Sequence, residues 1–166
     1  MSTNENLAGA FAGESQANRK YLAFAKKADA DGFPQVAKLF RAAAHAETIH
    51  AHAHLRAMDG VKDTAQNLKE AIAGEGFEFQ QMYPPYLEEA KKEGHRMAEV
   101  SFRNALAVEE VHHDLYQKAF AAVSSGSDLA VRQLHVCEIC GNTIYDAAQD
   151  KCEVCSAPRE RFALIN

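Results

Sequence analysis

The sequence predicts a mainly α-helical chain: a four-helix bundle over residues 1–130 that holds a pair of metal ions, then a small metal-binding domain over residues 131–166. Three observations carry this. Two Glu-x-x-His pairs, Glu47/His50 and Glu109/His112, fall in separate helical stretches. Each of the other two stretches brings acids, Glu14 in one, Glu75 and Glu78 in the other. Four cysteines, Cys137, Cys140, Cys152 and Cys155, appear only after the helical period fades near Leu134.

Apolar residues recur at helical spacing through four segments, near 4–30, 34–60, 64–93 and 96–124. Helix breakers agree with those limits. Asp31-Gly32-Phe33-Pro34 reads as a turn with proline at a helix start, Asp59-Gly60 as the end of the second segment, Glu93-Gly94 as the third boundary and Ser124-Ser125-Gly126-Ser127 as a stop. Pro84-Pro85 lies inside the third segment and predicts a kink, because proline removes a backbone donor and clashes with the preceding turn.

The acids share stripes with apolar residues. Leu7, Phe11, Glu14, Asn18, Tyr21 and Ala25 form one stripe; Val36, Phe40, Ala44, Glu47, Ala51, His54 and Met58 the second. Leu68, Ile72, Glu75, Phe79, Met82 and Tyr86 form the third; Phe102, Ala105, Glu109, His112, Tyr116, Ala119 and Val123 the fourth. A carboxylate in a core stripe is unfavourable unless paired or bound to metal, and inward acids on four helices repel one another without a cation. In Glu-x-x-His the two side chains lie about one turn apart, so both reach one metal while the carboxylate bridges to the next. Imidazole with oxygen donors suits iron or manganese. Glu110/His113 also fits the pattern but points about 100° away, with Arg103 and Gln117, so Glu109/His112 is the inward pair. His113 remains a candidate supporting group. His45, His52, His54, His95 and His135 read as ordinary surface or core histidines. A surplus carboxylate, Glu75 plus Glu78, lets one metal exchange a His ligand for a Glu as its charge rises.

Cys-x-x-Cys, eleven residues, Cys-x-x-Cys is the spacing of a tetrahedral four-thiolate site. Zinc there would be structural and iron a one-electron carrier; the spacing alone admits both. The formal charge of −5 and the lack of a Lys/Arg cluster give no footprint for nucleic acid. No stretch approaches the ~18 apolar residues of a membrane span, and the N-terminus does not read as a leader, so the expected location is the cytoplasm.

Phe11-Ala12-Gly13-Glu14-Ser15-Gln16-Ala17-Asn18, Glu47-Thr48-Ile49-His50, Gly74-Glu75-Gly76-Phe77-Glu78-Phe79 and Glu109-Glu110-Val111-His112 together resemble the ligand motifs of the rubrerythrins, and the Cys137 to Phe162 region resembles their rubredoxin-like domain. That resemblance implies a ferritin-like bundle with two non-haem irons, a single iron in the cysteine site, and reduction of hydrogen peroxide to water in oxidative-stress defence. It implies Glu47 and Glu109 as bridging carboxylates, Glu14 as a terminal ligand, and an iron that moves between His50 and Glu78 while Glu75 stays on the other ion. Tyr21 and Tyr83 match tyrosines near the di-iron centre. Electrons would come from a reductase or a rubredoxin through the cysteine iron. Ser156 departs from the glycine usual after the fourth cysteine of free-standing rubredoxins.

Assembly follows from length. Glu47 and Glu75 stand ~20 Å and ~16 Å from the connection between helices two and three. A parallel ferritin-like pair needs the link to climb about 35 Å, and residues 60–64 reach only ~17 Å. An up-down-up-down bundle solves this, as does a domain-swapped homodimer, the arrangement that rubrerythrins with short connections resemble. The competing functions are a ferroxidase or iron-handling protein on the same bundle, and a non-enzymatic module with zinc in the cysteines.

Overall fold

The structure, a computed structural model, describes residues 2–146 and 150–165. It is mostly helical, with the chain divided into two compact units, residues 1–62 and 63–166.

The first unit is a helical hairpin. Helix α1 (Thr3–Ala30) begins at a capping box, in which the Ser2 hydroxyl accepts from the Glu5 backbone and the Glu5 carboxylate accepts from the Ser2 backbone. Helix α2 (Pro34–Ala57) has no side-chain cap and starts instead on proline. Alanines at 25, 28, 37, 44 and 51 are buried where the two helices meet, so the backbones approach closely. Buried Asn18 crosses the seam, its amide donating to the Ala44 carbonyl at 2.7 Å and to Thr48 Oγ1 at 2.8 Å. The expected stripe is displaced at its start: Val36 is exposed and Ala37 fully buried, because the seam selects the small side chain. Tyr21, Phe24 and Phe40 form an aromatic cluster with ring centroids 5.6–6.3 Å apart.

In the second unit, α3 (Thr64–Phe77) is capped by Asp63, whose carboxylate accepts from the Gln66 backbone. The helix then continues through a π-helical segment, Glu78–Met82, into α4 (Tyr83–Lys92). The expected disturbance at Pro84-Pro85 therefore takes the form of a register change one turn earlier. The prolines leave the carbonyls of Gln80 and Gln81 without α-helical donors, and the Tyr83 backbone N–H reaches back to Glu78 O instead. Helix α5 (Arg96–Ser124) is capped by His95, whose Nδ1 accepts from Ala98 N at 3.2 Å.

Helices α1, α2, α4 and α5 end by the same device. The residue after the cap takes a left-handed conformation, Gly32, Asp59, Gly94 and Gly126, and the next N–H bonds back to Ala28, Leu55, Ala90 and Ala122 respectively. The second helix thus ends at Ala57, three residues before the expected limit, with Asp59 rather than Gly60 in the left-handed position.

The cysteine module is a three-stranded antiparallel sheet in the order β2-β1-β3 (Thr143–Tyr145, Leu134–Cys137 and Phe162–Ile165). Its core is Cys137, Cys152 and Ala157, with Val154 and Phe162 against them. It belongs to the same unit as α5: the Val108 side chain lies 3.6 Å from where a Cβ on Gly141 would stand.

Candidate metal centres

Each unit gathers three expected ligands. In the first, α1 supplies Glu14 and α2 supplies Glu47 and His50, with ligand atoms within 4.8 Å of one another. His50 Nδ1 stands 2.9 Å from Glu47 Oε2 and 3.8 Å from Glu14 Oε1. In the second, α3 supplies Glu75 and α5 supplies Glu109 and His112, again within 4.8 Å. His112 Nδ1 stands 2.8 Å from Glu109 Oε2 and 3.9 Å from Glu75 Oε1. The two triads repeat one geometry: a Glu-x-x-His turn on one helix facing a single acid on its neighbour.

The electrostatics of both triads suit a cation. A carboxyl–carboxyl hydrogen bond to Glu47, aided by desolvation and the Glu47 charge, raises the Glu14 pKa above the ordinary value. Burial, then the Glu109 charge, pushes Glu75 up to about 7, against the opposing pull of His112. Glu78 is raised by burial and by Glu109. Acids that hold protons because they crowd one another are acids that a metal can discharge.

Glu78 lies outside the close triad, at the first position of the π-helical segment. Tyr83 follows that segment; burial and the charges of Glu78, Glu109 and Glu75 raise its phenol pKa. Tyr21 lies in the aromatic cluster of the first unit. Glu110 is exposed. His113 shares the face of Gln117, whose Nε2 lies 3.4 Å from its own, but that face is partly covered: the His113 ring packs edge-on against Phe79 at 5.3 Å, and Gly76 leaves room for it.

The four cysteines converge as their spacing implies. Cys137 and Cys155 sulfurs stand 3.7 Å apart, those of Cys140 and Cys152 3.6 Å. Four sulfurs about 2.3 Å from a tetrahedral ion lie about 3.8 Å from one another, so the cluster fits a metal and its separations exclude disulfides. Gly141 and Ser156, each one residue past a Cys-x-x-Cys turn, both have positive φ, 89° and 60°. Ser156 accordingly holds a backbone conformation that glycine adopts without strain.

Two residues outside the expected set join these centres. Thr143 Oγ1 lies 3.0 Å from His112 Nε2 and donates to the Gly141 carbonyl at 3.1 Å. The threonine thereby accepts the Nε2 proton and leaves Nδ1 facing the carboxylates. Asn142 is buried between the two cysteine turns. Neither carried a signal, since Thr143 sits 31 residues from its partner histidine.

The rubrerythrin family model matches residues 5–120. This chain belongs to the rubrerythrin family. It is 32% identical to rubrerythrin-2 of Clostridium acetobutylicum, covering 96% of this chain and 95% of that protein. To nigerythrin of Nitratidesulfovibrio vulgaris it is 35% identical over 97% of this chain and 85% of the relative. Solved structures of nigerythrin in mixed-valence and fully reduced, all-ferrous states match 99% of the chain with TM-scores of 0.57 and 0.58 at 33% and 32% identity. The fold is therefore a ferritin-like bundle with a C-terminal four-cysteine module, in a family of iron-binding oxidoreductases. No helix among the described residues is long and apolar enough to cross a membrane.

Proposed function

We propose that this rubrerythrin is a non-haem di-iron peroxidase that reduces hydrogen peroxide to water, with electrons delivered through a single iron on Cys137, Cys140, Cys152 and Cys155. The observation that supports it most is the pair of matched triads, Glu14/Glu47/His50 and Glu75/Glu109/His112, together with a fourth-helix histidine tied by Thr143 to the cysteine module. Two ferrous ions held by these ligands would supply one electron each and a Lewis-acidic surface for the O–O bond. Glu14, Glu47 and His50 with Glu75, Glu109 and His112 would hold the two ions, and Glu78 would supply the surplus carboxylate that a ferric ion favours over an imidazole such as His50. Reduction of one peroxide consumes two electrons and two protons and yields two waters. Glu78 and the neutral Tyr83 phenol are the proton-holding groups beside the second triad.

Residues 1–130 form the bundle and 131–166 the electron-carrying domain in this reading, and the protein works in the cytoplasm with a reductase or rubredoxin as donor. The bundle assembles as a domain-swapped homodimer. A ferritin-like bundle runs its second and third helices parallel, with one long crossover. Glu47 lies about 15 Å before the end of α2 and Glu75 about 17 Å into α3, so a parallel pair needs a link of about 32 Å. Residues 58–63 stretch to about 25 Å at most. The α1–α2 hairpin of one protomer therefore completes its site with α3–α5 of the partner.

The activity is tested by reducing the iron-loaded protein without oxygen and mixing it with one equivalent of peroxide per di-iron site in a stopped-flow spectrometer. Oxidation of both centres far faster than by equal oxygen is the expected result. Faster oxidation by oxygen would make the protein a ferroxidase.

A further inference from the structure

The four thiolates do not receive equal hydrogen bonding. The backbone N–H of Asn142 serves Cys140 and that of Ala157 serves Cys155, the matching positions of the two turns Cys137-x-x-Cys140-Gly141-Asn142 and Cys152-x-x-Cys155-Ser156-Ala157. Cys152 accepts from the backbone of both Val154 and Cys155. The two turns differ in what stands at their last position. Ala157 ends in a methyl group. Asn142, only 4% exposed, carries an amide whose Nδ2 lies 3.7 Å from Cys152 Sγ. Cys152 thus has a third N–H donor, reaching across from the opposite turn. The amide orientation follows from charge: its oxygen against a thiolate would oppose two negative atoms, so the N–H group faces the sulfur.

A hydrogen bond to a ligating sulfur withdraws charge from it. The ferrous four-thiolate site carries one more negative charge than the ferric, so such a donor favours the reduced state, and more strongly where the group is buried. We propose that the Asn142 side chain raises the reduction potential of the cysteine-bound iron through its hydrogen bond to Cys152. Asn142 acts on the iron only through Cys152, as a positioning residue for electron entry. The inference rests on the reading that this site holds iron.

The test is a spectroelectrochemical titration of full-length iron-loaded protein, wild type against Asn142→Leu, Asn142→Ala and Asn142→Gln. Leucine and alanine should lower the equilibrium constant for reduction about three- to tenfold, a tenfold change being 59 mV for a one-electron couple. Glutamine, which keeps an amide, should shift it less. The visible iron–thiolate bands report that the site itself is intact. Reduction equilibrium constants within twofold of wild type in red, intact leucine and alanine variants overturn the proposal, as does loss of the site in every variant, which would make Asn142 a folding residue. A colourless wild-type protein with stoichiometric zinc fails the iron reading itself, and this inference with it.

Discussion

A swapped dimer and a closed single-chain bundle make different numerical predictions for mixed variants. Glu47→Ala removes the bridging acid from the α1–α2 hairpin, and Glu109→Ala removes its counterpart from the α3–α5 unit. Alone, each variant has every di-iron site damaged under either arrangement. When the two are unfolded together and refolded, random pairing makes about half of the dimers mixed. In a swapped mixed dimer, one site combines both damaged units and the other combines two intact ones. About a quarter of all sites should therefore recover wild-type iron content and peroxide turnover. A closed bundle always meets its own damaged half, so recovery should be zero. The assay is iron per chain, corrected for cysteine-bound iron by its visible bands, followed by peroxide consumption. Equal parental and mixed activities, with all samples red and dimeric, would refute the swap while leaving the peroxidase reading intact.

Three further outcomes follow from particular residues. Burial raises the Glu75 carboxyl from 4.5 to about 7, so the metal-free folded state binds its proton more tightly than the unfolded chain. Its contribution to stability is full below pH 4.5 and disappears as pH rises through 7; denaturant unfolding of metal-free protein should show this slope, and Glu75→Gln should flatten it. Glu78→Ala should leave di-iron binding intact but slow multiple turnover more than tenfold, since the carboxylate that follows the change in iron charge is missing; an unchanged rate removes the ligand-exchange idea. Ser156→Gly releases a left-handed strain of about 1–2 kcal/mol against about 0.5–1 kcal/mol of added unfolded-state freedom, for a net gain near 0.5–1 kcal/mol. Slower thermal loss of iron from the cysteine site would show it, and faster loss would contradict it.

Helix limits were legible because each is written in residues with special backbones: Pro34 starts α2, and Gly32, Gly94 and Gly126 take the positive φ angles that close α1, α4 and α5. At Asp59-Gly60 the break was legible but not which residue takes the left-handed conformation: it is Asp59, since aspartate also tolerates that region and its carboxylate pairs with Lys62. The triads were legible because a three-residue spacing on one helix face survives any tertiary arrangement. Val36 and Ala37 exchanged roles because the width of the α1–α2 seam, a tertiary property, decides which side chain enters it. Thr143 and Asn142 stayed hidden for a related reason. Their partners are distant in sequence, and neither residue type is a usual ligand of iron or zinc.

The prolines in the third helix explain how Tyr83 comes to stand beside the acids. In an uninterrupted α-helix a residue five places on points about 140° away, so Tyr83 would face away from Glu78. Pro84 and Pro85 deny donors to the two carbonyls before them, the Tyr83 N–H reaches to Glu78 O, and the extra residue in that turn rotates all that follows by about 100°. Tyr83 is thereby carried back toward the face of Glu78, where Glu78, Glu109 and Glu75 raise its phenol pKa after burial has done so. Replacing both prolines by alanine restores the donors and the α register. The double variant should keep or gain helix content, lose the Tyr83 perturbation in an ultraviolet pH titration, and take up iron on Glu75, Glu109 and His112, which precede the change or lie on α5. Its peroxide turnover should fall while single-turnover oxidation by peroxide persists. A Tyr83 that still titrates above the ordinary phenol range in an all-α third helix would show that burial alone, and not the register change, sets its environment.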